Sequence, residues 1–334
     1  MKNGYRKTGM GVVAAWFLAT ALAGADQPMP SDYELARWAF NEGSGTNTAD
    51  LSGHAWTVTM LQHNGNGNVP TAIPLWTNDA PSGTGYALAL NGTDQYASPE
   101  PFVGAGNVLW TLSTLTNWSL SMWLKIQMAP GQSGTILGHW DGWGNVGWTL
   151  NDDKWIDYGT DNFNFAGVVE GTPHGRQGVQ VLGPAHNPDT GQHFNLTGVW
   201  HHVVITWRQD AATTNTIAKY YLDGVASTNL RTFTQHSVYW TNWTWTAYVE
   251  NGPLPTGTFD SDTWHELYLG AEGRNDIQYR AGFFQGLMDE VRIFQGVLDS
   301  NRVNLLYRFP EIPGKQVEAA TPPSGTVLIV TQRI

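Results

Sequence analysis

The chain has 334 residues, with 17 Lys and Arg against 28 Asp and Glu, for a formal charge of −11. So acidic a chain, with no basic patch, is unsuited to nucleic acid or to anionic membrane surfaces. The absence of cysteine excludes a disulfide framework, thiol catalysis and cysteine-ligated zinc.

Lys2, Arg6 and Lys7 precede an apolar stretch, Gly11 to Leu22, and Ala21-Leu-Ala23 and Ala23-Gly-Ala25 offer small-x-small cleavage sites. This reads as a signal peptide over 1–25 and predicts a secreted protein, extracellular or at the cell surface. A retained anchor is the alternative, although the apolar run is short for a bilayer. No later segment is long and apolar enough to span a membrane once the leader is cleaved. The remaining residues suffice for a core without covalent staples.

With 38 Gly, 17 Pro and 13% charged residues, the chain reads as many short strands joined by tight turns. Tyr33 to Phe40 alternates and makes a first strand, followed by turns at Asn41-Glu-Gly-Ser-Gly45 and Asp50-Leu-Ser-Gly-His54. Tyr86 to Ala97 carries two short strands around Asn91-Gly92, a hairpin signal. Trp118 to Ile126 alternates strongly, as a central strand does. Thr135–Gly138 and Gly147–Leu150 flank a loop rich in Gly, Asp and Trp. Trp200–Trp207 pairs with Ala218–Leu222, which ends in an Asp223-Gly224 turn. Glu266–Gly270 precedes a closing strand that ends at Phe294. In it, alternation sets Leu287, Asp289, Val291 and Ile293 against Met288, Glu290, Arg292 and Phe294. Asp299 to Phe309 has the spacing of a short helix. Pro310 to Ser324 reads as a linker, and Thr326–Thr331 as one further apolar strand. The fold class is therefore all-β, a two-sheet antiparallel sandwich.

Seven pieces then fall in one order: Trp38-Ala-Phe-Asn-Glu-Gly-Ser-Gly45, Ala89-Leu-Asn-Gly92, Ser119-Leu-Ser-Met-Trp-Leu124, Trp200-His-His-Val203, Tyr221-Leu-Asp-Gly-Val225, Leu267-Tyr-Leu-Gly-Ala271 and Gly286-Leu-Met-Asp-Glu-Val-Arg-Ile293. In this order they resemble the laminin-G-like domains of bacterial secreted proteins, within the concanavalin A-like lectin/glucanase superfamily. The resemblance covers about residues 33–308. It implies a jelly roll of 12 to 14 strands, a calcium site on the rim, and binding of polysaccharides or cell-surface partners, usually without chemistry. The organisation expected is a domain over 26–309 with inserts near 151–198 and 228–262, then a linker and C-terminal strand over 310–334. The inserts are expected to build or cover any ligand surface.

Glycosidases and lyases share this superfamily. Their Glu-x-Asp-x-x-Glu strand is absent here, as are the Arg-x-Glu-Leu and Gln-x-His strands of the lyases. Asp289 and Glu290, adjacent in a strand, are expected on opposite faces. His201-His202 reads as strand structure, an inward His bonding to backbone. No catalytic residue is assigned, and the chain is read as a non-enzyme.

Two binding chemistries remain. Calcium takes carboxylates together with turn carbonyls. The resemblance points to Asp289, with Glu42, Gly45 and Asp50 of the N-terminal turns as further ligands; the alternative for Asp289 is a pair with Arg292 or the cap of a turn. Sugar rings stack on Trp, of which the chain has 17. Trp38, Trp118, Trp123, Trp148, Trp200 and Trp207 fall inside strands and are assigned to the core. Trp140 and Trp143 with Trp155, and Trp240, Trp243 and Trp245, fall in loops and are the candidate carbohydrate platforms; packing of the inserts is their alternative role. The expected function is a secreted, non-catalytic, lectin-like protein for a polysaccharide or cell-surface glycan, with a structural calcium. Alternatives are a structural or adhesion protein that assembles with other surface proteins through its C-terminal strand, and a divergent polysaccharide hydrolase or lyase.

Overall fold

The structure, a computed structural model, describes residues 33–63, 68–70, 75–100, 108–112, 114–128, 134–140, 147–152, 163–172, 175–182, 196–210, 215–226, 231–236, 246–250, 258–259, 267–271 and 282–312. The first strands are β1 (Glu34–Trp38), β2 (Asn47–Thr48), β3 (Val58–His63), β4 (Asn68–Pro70), β5 (Trp76–Thr77), β6 (Ala87–Asn91) and β7 (Gln95–Pro99). Helix α1 (Val108–Leu112) leads to β8 (Trp118–Ile126), β9 (Gly134–Trp140), β10 (Gly147–Asp152), β11 (Phe163–Thr172) and β12 (Gly175–Leu182). Next come β13 (Trp200–Asp210), β14 (Asn215–Leu222), β15 (Val225–Ala226), β16 (Arg231–His236), β17 (Thr246–Glu250) and β18 (Thr258–Phe259). β19 (Tyr268–Leu269), β20 (Gln285–Gln295) and helix α2 (Ser300–Arg308) close the described chain.

The strands form two antiparallel sheets, confirming the all-β sandwich. The smaller runs β15-β14-β13-β8-β20-β6-β5, with β1 also on β20. The larger runs β17-β16-β12-β11-β10-β9-β19-β7-β3-β2, with β18 on β11 and β4 on β3. Alternation in β8 explains the stacking: Leu120, Met122, Leu124 and Ile126 enter the core beside Val203, Ile205 and Trp207 of β13. Val58, Met60, Ala97 and Leu269 enter it from the larger sheet. Trp38 sits fully buried between the sheets, its indole N–H donating to the Trp56 carbonyl at 2.7 Å. Among the described residues no helix is long and apolar enough to cross a membrane.

Several expectations hold. β8 is central between β13 and β20, and β13 pairs with β14. Helix α2 starts at Asp299, whose side chain accepts the Arg302 N–H at 2.8 Å. The Asn91-Gly92 turn is different: β6 joins the smaller sheet and β7 the larger, so it makes an arch between sheets and no hairpin. Asn91 Oδ1 caps the N–H groups of Thr93, Asp94 and Gln95, satisfying the turn whichever way its strands pair. The inserts supply β11, β12, β16, β17 and β18, which continue the larger sheet outward. With two-residue strands included, the two sheets hold eight and twelve strands, more than the resemblance implies.

The closing strand departs from alternation. Asp289 stands opposite Trp123 and Arg292 opposite Ser121, so Glu290 and Val291 together face Met122. This is a β-bulge, and Glu290 takes φ +46°, a left-handed backbone unusual for Glu. Beyond it Val291 and Ile293 return to the core side with Met288. Arg292 and Phe294 lie on the outer face, which α2 covers. Pro310–Ile312, read as the start of a linker, is bound into this face, with Ile312 buried against Tyr33, Phe294 and Leu306. Residues 1–25, read as a signal peptide, and Thr326–Thr331 lie outside the described residues.

Candidate functional site

The outer face of β1, β8, β13 and β20, beneath α2, holds a buried ionic network. Glu290 accepts two hydrogen bonds from Arg37, both 2.9 Å, and two from Arg292, at 3.0 and 2.6 Å. Arg292 also donates to Glu34 at 3.1 Å, to the Ile312 carbonyl at 2.7 Å and to the Pro310 carbonyl. Arg37 donates to the Glu311 carbonyl at 3.0 Å. Burial opposes the charge on Arg37, but Glu290 outweighs it and holds the guanidinium pKa above its usual value. Glu34 is pushed up, because burial exceeds the help from Arg292 and Arg37. Two acids and two guanidinia balance; Asp289 is a third acid on the same face, opposite Trp123. It is 3% exposed, and burial followed by the charge of Glu290 holds its pKa well above the carboxylate range.

Two expectations are thereby corrected. Asp289 and Glu290 are not split between faces, because the bulge breaks the alternation that would separate them. Arg292 pairs with Glu290 and Glu34, while Asp289 accepts the Glu290 N–H at 2.8 Å.

His202 stands next in this row, opposite Trp123, with its ring near those of Trp123 and Tyr307. Its Nε2 lies 2.9 Å from Ser121 Oγ, so its partner is a side chain and not the expected backbone. Burial, with Arg292 nearby, pushes its pKa down to about 3. A Ser–His contact of this length resembles a nucleophile and its base. Here both groups are buried in the sheet face, which leaves no approach for a substrate. His201 Nδ1 meets Asp223 Oδ2 at 2.8 Å, while Asp223 Oδ1 takes the His202 N–H.

Of the proposed calcium ligands, Glu42 caps the N-terminal turn, its Oε1 accepting from Thr48 Oγ1 and the Ala49 N–H. Asp50 accepts the N–H groups of Arg37, Ser52 and Trp56 and the Ser52 hydroxyl. The Gly45 carbonyl accepts the Trp76 indole N–H at 2.8 Å. Glu42 and Asp50 therefore have the oxygen chemistry calcium takes, within one turn region. Asp289, 3% exposed and with its Oδ1 taken by the Glu290 N–H, does not gather with them. Among the described residues no three His, Asp or Glu side chains gather as metal ligands.

Trp143, Trp155, Trp240, Trp243 and Trp245 lie outside the described residues, as does the side chain of Trp140. Their flanking strands are described. His139, Trp148, Gly167, Val179, Thr234 and Val249 form one register row across β9, β10, β11, β12, β16 and β17. Because neighbours are antiparallel, β9 ends at Trp140 and β16 at His236 on the same end of the larger sheet. Asp152, which Trp155 follows in sequence, is at the other. Trp38, Trp118, Trp123 and Trp207 are buried as expected, although Trp123 lies under α2. Trp200 is only half-buried, its indole N–H on Asp79 Oδ1 at 2.9 Å; Lys125 binds Oδ2 at 2.6 Å and holds the Asp79 pKa low.

The sequence reading passed over an aromatic pair at the 41–45 turn. Trp76 and Tyr86 both meet it, Trp76 through the Gly45 carbonyl and Tyr86 against Gly43. The glycines of Gly83-Thr-Gly85 were the available signal.

No protein-family model matches the chain, and no curated protein matches it in sequence. Among solved structures it is similar to domain 4 of AbnA, a GH43 extracellular arabinanase from Geobacillus stearothermophilus, in complex with arabinotriose. Identity is 19% over 82% of this chain and 98% of that one, with a TM-score of 0.46. It is also similar to the binding domain of Paraclostridial Mosquitocidal Protein 1, at 11% identity and TM-score 0.49, and to the botulinum neurotoxin serotype D binding domain, at 15% and 0.47. The similarity covers 83% of this chain in both cases and about half, 52%, of each toxin domain. At these identities and scores the likenesses say nothing of this chain's ligand, and the laminin-G-like resemblance stands at the level of the two-sheet sandwich.

Proposed function

We propose that this chain is a secreted, non-catalytic carbohydrate-binding protein of laminin-G-like type, its ligand a polysaccharide or cell-surface glycan. The observation that carries this reading is the division of its tryptophans. Trp38, Trp56, Trp118, Trp123 and Trp207 are buried and serve the fold. Trp140 and the segments with Trp143 and with Trp240, Trp243 and Trp245 adjoin strand ends on one end of the larger sheet. We assign these Trp segments to the glycan because the apolar C–H faces of sugar rings stack on indoles. Calcium enters only as a structural ion at the turn of Glu42 and Asp50.

The test is binding of the mature chain, 26–334, to an array of immobilised polysaccharides, beside its Trp240→Ala/Trp243→Ala variant. Binding to a defined polysaccharide that the variant loses is the expected result. Absence of binding to any member, or equal binding by the variant, overturns the assignment.

A further inference from the structure

The 41–45 turn and the segment before β6 interlock through two glycines. Asn41 Oδ1 accepts the Tyr86 N–H at 3.1 Å and lies where a Cβ on Gly85 would be, 2.3 Å away. In return the Tyr86 ring lies over Gly43, where a Cβ would stand 2.3 to 2.6 Å from its atoms. Both glycines have positive φ, +62° and +88°, so any side chain at either is excluded by conformation and by space. Two residues on, the Gly45 carbonyl holds the half-buried Trp76 indole, which packs on Phe40 at 6.5 Å.

The outcome is an aromatic ring fixed from below and open above. Tyr86 is 39% exposed, one of few large hydrophobic side chains left in solvent among the described residues. A solvent-facing ring that contributes little core is ordinarily free to rotate; this one is held by backbone on its inner side. Rigid presentation of an amphipathic ring lowers the ordering cost of binding. Beside it the exposed Asn41 uses its carbonyl on Tyr86, which leaves its amide to meet a hydroxyl. Segments 41–50 and 76–86 contain Glu42, Asp50 and Asp79 and no Lys or Arg, which disfavours an anionic ligand.

We propose that Tyr86, with Asn41 beside it, is a stacking subsite for a neutral sugar ring, built from residues other than those of the Trp140–Trp143 and Trp240–Trp245 segments. It rests on the carbohydrate-binding reading above but on different residues. β2 ends the larger sheet on the side away from β17, and β5 ends the smaller. The chain would then hold two points along one polysaccharide, each raising the effective concentration at the other.

The experiment uses the full chain, with cellohexaose, xylohexaose and mannohexaose as neutral probes and hexagalacturonate as the anionic one. Calorimetry gives affinity, and saturation-transfer NMR gives the sugar protons at the ring. Tyr86→Leu keeps an apolar cover on Gly43 without the aromatic face, and should bind a neutral hexasaccharide about tenfold more weakly than wild type. Tyr86→Phe should bind like wild type, which separates stacking from a general loss of fold, and hexagalacturonate should not bind. Unchanged affinity in Tyr86→Leu overturns the subsite. If Trp240→Ala/Trp243→Ala abolishes binding while Tyr86→Leu does not, this proposal falls and the earlier one stands. The reverse pattern removes the Trp segments and keeps the subsite. No binding of any neutral probe by wild type overturns the subsite, while the carbohydrate-binding reading stands or falls on the polysaccharide array.

Discussion

Replacing Arg292 with Met removes one guanidinium from the buried network while retaining most of the side-chain volume. Arg292 is 1% exposed and donates to Glu290, Glu34 and the carbonyls of Pro310 and Ile312. Without it two acids share only Arg37, and two carbonyls of the C-terminal segment lose their donor. Breaking a buried pair by deleting one partner costs about 3–5 kcal/mol, against a total of about 5–15 for a domain. At about 2–4 °C per kcal/mol, Tm should fall by about 6–20 °C. Differential scanning calorimetry gives the shift, and hydrogen exchange of 309–312 shows whether the segment loosens first. Arg292→Met/Glu290→Gln, which removes the stranded charge as well, should recover about 1–3 kcal/mol. A single variant within about 1 kcal/mol of wild type, or a double variant worse than additive, would refute the view that this network holds β1, β20 and the C-terminal segment together.

Asp289→Asn tests the buried acid. Because its folded pKa is raised above the ordinary 3.8, the native state binds more protons than the unfolded one. Wild-type stability therefore falls as pH rises from the ordinary value toward the folded one, and the Asn variant should escape this. Denaturant melts should show the variant gaining on wild type with rising pH; a gain independent of pH would exclude titration as the cause. Gly270→Ala places a Cβ 2.1 Å from Leu90 Cδ1 at φ +90°, and a loss of about 2–3 kcal/mol is expected in the same melts. Saturating calcium should raise Tm relative to EDTA, and Glu42→Gln should remove the rise; equal midpoints in wild type would take calcium out of the proposed function.

Much of the fold was legible in local pattern. The alternation of Trp118–Ile126, the Asp223-Gly224 turn and the Asp299 cap of α2 each depend on neighbours within a few residues, and each is where the pattern predicts. The arch at Asn91-Gly92 was not legible, since the same turn chemistry serves a hairpin or a crossing between sheets. The choice belongs to β20 and β5 on one side and to β3 and β19 on the other. For the site, composition and turn chemistry identified an aromatic-rich, acidic chain with N-terminal turns around Glu42 and Asp50. They could not reveal that Tyr86 lies on Gly43, because that contact joins residues forty-odd positions apart and exists only when the two loops meet.

By itself, then, the sequence determined the strands outside the inserts that alternate clearly, the turn residues, the all-β class and the residue types available for binding, because these follow from side-chain period and local backbone preference. Tertiary structure alone decided the bulge at Glu290. A Glu at positive φ is locally unfavourable, and it is held only because Arg37 and Arg292 converge on its carboxylate from two strands, with three carbonyls of the C-terminal segment closing the network.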